Sequence, residues 1–199
     1  MKAYYQRLGA AALGLIAVFT GCGSEGATDP ASPLSAPTTV SVSFSGGYDT
    51  NPVDNGRPVV LVAGALGVAP EVFRYAFSLV TPAPAGQEPD PNQVSLNKAA
   101  LLSVLGPYGV TNDLLDTVSN YYRINGSAGE VWPRVAASAT AVVTDGVVTA
   151  INITNGGAGY SSPPTVTVPG FANLTIVAAL SFGKSFTTNG SIASLTIVR

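Results

Sequence analysis

Residues 145–170 read DGVVTAINITNGGAGYSSPPTVTVPG, a stretch that leaves this part of the chain few alternatives to antiparallel β structure. Asp145-Gly146 is a two-residue hairpin signal, because a type I′ turn needs positive φ at both central positions. Val147, Thr149, Ile151 and Ile153 then share one face of a strand, with Val148, Ala150, Asn152 and Thr154 on the other. Asn155-Gly156-Gly157-Ala158-Gly159 ends the alternation, since glycine costs backbone entropy in a strand and favours turns. Tyr160 brings a ring that can fold back over this bare backbone. Pro163-Pro164 forces an extended path, Val166 and Val168 resume the alternation, and Pro169-Gly170 stops it. Asn155, Gly156, Gly157, Gly159 and Tyr160 are therefore expected to build a structural loop. No lysine and no helix follow the glycines, so they do not form a phosphate cradle.

The end of the chain repeats the start of this stretch. NGSIASLTIV, residues 189–198, aligns with DGVVTAINIT, residues 145–154, at an offset of 44. Gly146 matches Gly190, Val148 matches Ile192, Ile151 matches Leu195 and Ile153 matches Ile197. An offset of that size is in the range of arrayed β units. NGGAGYSSPPTVTV also resembles a β-repeat, NGGxGYxxxPxVxV, of bacterial surface proteins and phage fibre or tail proteins. The resemblance covers about the last third of the chain. It implies structural or display work and no particular activity.

At the other end, Lys2 and Arg7 precede a short apolar run, Leu8 to Phe19, below the ~20 residues of a comfortable membrane span. Phe19-Thr20-Gly21-Cys22 resembles a bacterial lipobox, with phenylalanine where the family usually has leucine. The resemblance implies a signal peptide over residues 1–21 and lipidation of Cys22. Gly23, rather than aspartate, follows the cysteine, which by the same resemblance favours the outer membrane. Acyl chains contribute about 0.8 kcal/mol per buried CH₂, so several of them anchor a protein without a spanning helix. Cys22 is the only cysteine, so no internal disulfide can form. Residues 22–45 read as a lipidated, disordered tether, small, polar and dotted with proline. Within them Val40 to Phe44 alternates, and fits an edge strand as well as it fits the tether.

Residues 46–134 follow a helical pattern. Val59 to Gly67 fits a buried helix, although its Val59-Val60-Leu61-Val62 opening also permits a strand. Pro70 suits a first helical position, and Val72, Phe73, Ala76, Phe77 and Val80 recur at helical spacing. Thr81 to Pro89 is a proline-rich loop. Asp90-Pro91-Asn92-Gln93 predicts a helix start, with Gln93 placed to reach back to the cap. Val94, Leu101, Leu102 and Leu105 form its apolar face, and Gly106-Pro107 ends it. Thr111 or Asn112 caps a further helix carrying Leu114, Leu115, Val118, Tyr121 and Tyr122. A bundle of about 80 residues is marginal alone, so the helices should lean on the β-repeat module at 135–199. This middle region resembles a segment of uncharacterised secreted bacterial proteins, which implies no activity. The fold class expected is α+β: a small helical segment, then an antiparallel β unit with an internal repeat.

Composition restricts the chemistry. The chain has no histidine, which removes His-dependent nucleophilic catalysis and the commonest metal ligand. With Cys22 committed to lipid, no ordinary zinc site remains, and no cofactor or metal is expected. Removing Lys2 and Arg7 with the leader leaves 7 basic against 11 acidic residues, without a basic cluster. Nucleic-acid binding therefore has no electrostatic footprint. The expected function is non-enzymatic: a lipid-anchored cell-envelope protein with a structural or adhesive display role, and an envelope protein or glycan as partner. A second reading makes Tyr108, Tyr121, Tyr122 and Trp132, beside Asn120 and Arg123, a patch that stacks on glycan or peptide. A third uses Asp113 and Asp116, three apart on one helix, as the carboxylates of a hydrolase. Asp113 and Glu71 also have an ordinary place near helix starts, and Asp116 one as a solvated surface charge.

Overall fold

The structure, a computed structural model, describes residues 36–81, 90–124 and 128–198. The leader, Cys22 and most of the tether lie outside these residues. The described part belongs to one compact unit, Leu34–Arg199. Its architecture is α+β, with four helices set between β strands in chain order.

The strands are β1 (Thr38–Ser41), β2 (Ser43–Ser45), β3 (Ser138–Thr144), β4 (Val147–Asn155), β5 (Thr165–Thr167), β6 (Thr175–Ser181) and β7 (Ser191–Val198). All pairings are antiparallel: β1 with β3, β3 with β4, β2 with β5, and β6 with β7. β6 also runs beside β5, and β7 beside β4. The hydrogen-bonded sheets are three, β1-β3-β4, β2-β5 and β6-β7. Since β2 continues β1 past Val42 and the sheets lie side by side at β5–β6 and β4–β7, the strands follow one another in a ring that is not a closed ladder. Its interior is lined by Val42, Ala139, Ala141, Val148, Val166, Ala178 and Ile192, with Ile151, Ile153, Leu195 and Ile197 partly buried against them.

This corrects the tether boundary. Residues 38–45, assigned above to the disordered tether, are two strands of the ring. Val40, Val42 and Phe44 point alternately into the interior, and the backbone groups of β3 and β5 need a partner on that side.

The two hairpins, β3–β4 and β6–β7, share a detail that the 44-residue offset marks. Thr149 is an extra residue in β4, lying between the pairs Val143↔Val148 and Val142↔Ala150. Ala193 is an extra residue in β7, lying between Leu180↔Ile192 and Ala179↔Ser194. Each is a β-bulge at the same place in its strand. A bulge shifts side-chain alternation by one, so Val148, Ile151 and Ile153 face the interior together. Val147, expected on the face of Ile151, is instead exposed. The Asp145-Gly146 turn has φ of 50° and 75°, as a type I′ turn requires. The second hairpin closes through a longer loop, and there only Gly190 of the pair Asn189-Gly190 has positive φ.

The helices are α1 (Val59–Leu66), α2 (Pro70–Ser78), α3 (Pro91–Leu105) and α4 (Asn112–Tyr122). The ambiguous Val59 stretch is a helix, buried along most of its length. Thr111 Oγ1 accepts from the Leu114 N–H and caps α4. Asp90 caps α3 through the Asn92 N–H, but Gln93 donates to Asn97 rather than reaching back. Leu61, Leu66, Phe73, Leu105, Leu115, Val118, Tyr122 and Trp132 form the helical core. Val94 stands outside it, because α3 packs by its C-terminal half. No single helix among the described residues is long and apolar enough to cross a membrane.

Candidate functional site

The chain's two halves meet at the glycine-rich loop and at the loop between β6 and β7. Asn155 Oδ1 accepts from the Gly157 N–H at 2.8 Å, which turns the chain out of β4. Gly157 and Gly159 have φ of 67° and 82°. A side chain at either would strike the backbone of the incoming segment, at Val135 and Pro133 respectively. Gly156 has no such conformation, but a Cβ there would lie 2.8 Å from the Ile192 carbonyl oxygen. The loop then pairs with the start of β7: Ile192 N–H donates to Gly156 O, and Tyr160 N–H to Gly190 O. The Tyr160 ring covers Gly157 and Gly47, and its hydroxyl accepts from the Ala137 N–H. The five residues expected to form a structural loop thus sit at a junction.

Asn189, fully buried, bolts that junction to the helices. Its Nδ2 donates to Leu61 O at 2.7 Å and to Tyr122 Oη at 2.8 Å, while its Oδ1 accepts from the Gly183 N–H at 3.1 Å. Both amide donors and the amide oxygen are satisfied. Phe186 from the same loop stacks on Tyr121, with centroids 4.0 Å apart. Burial pushes the Tyr122 hydroxyl up to about 12, against the bond from Asn189, which lowers it, and with Tyr121, which raises it.

The four aromatic residues proposed as a binding patch do not come together on the surface. Tyr122 and Trp132 are buried, and the Trp132 indole N–H donates to Gly159 O at 2.8 Å. Tyr121 is half-buried under Phe186. Large rings are taken up as core and junction residues wherever apolar area can be buried. Tyr108 alone is well exposed, at 58%. A different aromatic stack marks the junction. Tyr48 lies parallel to Tyr160 at 5.1 Å, and the Arg134 guanidinium sits 3.9 Å from the Tyr48 ring and 4.6 Å from that of Trp132. Burial and the neighbouring Tyr160 push the Tyr48 hydroxyl up, while Arg134 pulls it down.

Asp116 is ion-paired with Lys98 at 2.8 Å, and Asp113 lies in the first turn of α4. Sequence reasoning missed Asp54, whose carboxylate is buried and held in a fork by Arg74, at 2.7 Å to Nε and 2.9 Å to Nη2. Arg57 donates to Asp54 O and covers the Phe77 ring at 4.6 Å. A cleft of about 470 Å³ opens over these groups. Nothing local signals the pair, because Asp54 and Arg74 are 20 residues apart and meet only when α2 folds back. Among the described residues no three His, Cys, Asp or Glu side chains gather as metal ligands.

The fold and its junction define a small α+β protein whose helical half is bolted to a β ring. Searches of protein-family models, curated proteins and solved structures return no match to the chain.

Proposed function

We propose that this is a lipid-anchored cell-envelope protein, non-enzymatic, that holds its helical half out from the membrane for structural or adhesive contact. One observation carries the reading: the polarity of the β ring. The chain enters the ring at Thr38, which pairs with Val143 beside the Asp145-Gly146 turn. The helices are held at the opposite end, where the loop before β7 carries Asn189 and Phe186. The chain leading from Cys22 would therefore join the ring at the end away from the helices. The lipobox resemblance and the absence of histidine from the sequence point the same way.

The test is the anchor. Cys22→Ser should leave the protein unprocessed and released from the membrane fraction, because the thiol alone carries the acyl groups. A mutant that is processed and sediments with membranes as wild type does would overturn the assignment.

A further inference from the structure

We propose that the groove between α2 and the Gly106–Tyr108 turn is a binding site for a neutral oligosaccharide. The groove holds about 730 Å³ and is lined by Glu71, Tyr75, Leu79, Ser103, Pro107 and Tyr108, among others. Tyr75 and Tyr108 are 61% and 58% exposed and share the groove with the apolar Val72, Leu79 and Val104. Two largely exposed tyrosine rings lining one concavity offer the kind of surface on which the C–H faces of pyranose rings stack.

The polar lining selects among ligands. Ser103 Oγ gives its proton to Ala100 O at 2.7 Å, so towards the groove it can only accept. Glu71 is likewise an acceptor, with its side chain 78% exposed. Apart from the two tyrosine hydroxyls, the polar side chains at the groove accept hydrogen bonds. A polyol brings hydroxyl donors to such a rim, whereas a proline-rich peptide brings mainly carbonyl acceptors. An ammonium ligand would find one carboxylate, Glu71, whose 3.3 Å contact with Arg74 is shared with the fork on Asp54, so a cation is included among the test ligands. A phosphate or carboxylate would meet Glu71 with no free cation beside it in the lining. The inference does not depend on the lipid anchor, so its failure would leave that reading standing.

The full chain, labelled with ¹⁵N, is titrated with maltohexaose, cellohexaose and chitohexaose at millimolar concentration. Saturable shifts are expected for at least one sugar at amides of residues 71–79 and 103–109. Tyr75→Ala and Tyr108→Ala should each weaken that binding about tenfold, and Tyr75→Phe should retain most of it, because the ring face carries the contact. Both tyrosines are exposed, so spectra elsewhere in the chain report that the variants remain folded. The proposal is overturned if none of the three sugars shifts these amides, or if both alanine variants bind as wild type. It is equally overturned if tetramethylammonium or a polyproline peptide binds the groove more tightly than any sugar.

Discussion

At the scale of single residues, the ionisation of Tyr122 exposes the junction to pH. Its hydroxyl has an ordinary value of 10.0 and is raised to about 12 in the fold. The folded state therefore holds a proton that the unfolded chain releases sooner. The stability linked to this proton is fully present below pH 10 and is lost as pH rises towards 12. Tyr48 is raised as well and adds to the same decline. Urea denaturation at a series of pH values should show stability falling through that window, with a shallower fall in Tyr122→Phe. Equal slopes in the two proteins would mean that Tyr122 is not the buried group described. None of this was legible beforehand. Asn189 read only as the first residue of a turn, by analogy with Asp145, and its partners Leu61 and Tyr122 are 128 and 67 residues away.

At the scale of elements, what could be read depended on whether the signal was local. The cap at Asp90 was legible, and that at Thr111 to within one residue of Asn112, because the acceptor and the N–H it serves lie two or three residues apart. The Asp145-Gly146 turn was legible for the same reason. The face of β4 was misread, because strict alternation places Val147 with Ile151. The aligned positions Val148, Ile151 and Ile153 are spaced three and two apart, and that spacing is the trace a bulge at Thr149 leaves. β6, TIVAALS, shows no clean period, and a short apolar run of that kind fits helix or strand equally. The extended reading of residues 40–44 needed β3 and β5 to decide it. In α3 the apolar face is real only in its second half. Leu105→Ala should cost about 2–4 kcal/mol, the range for truncating a buried leucine, whereas Val94→Ala should change stability by less than ~0.5 kcal/mol. Chemical denaturation of both variants checks this, and comparable losses would show that the N-terminal half of α3 is also packed.

At the scale of the molecule, the β ring and the helices are joined by a few strongly committed groups. Asn189 bonds to Leu61 and Tyr122 across the junction and to Gly183 within its own loop, Phe186 stacks on Tyr121, and Trp132 returns a hydrogen bond to the glycine-rich loop. The α+β class was legible from the change of period along the chain. The joining was legible only as the expectation that so small a helical unit needs support. The central claim is that the two halves unfold as one. Native-state hydrogen exchange resolved by segment tests it in the wild type and in Asn189→Ala, which leaves Leu61 O, Tyr122 Oη and the Gly183 N–H without their partner. The account predicts one opening free energy shared by α1, α4, β4 and β7, lowered together by about 2–4 kcal/mol in the variant. Loss of protection in α1 and α4 with β4 and β7 unchanged would contradict it.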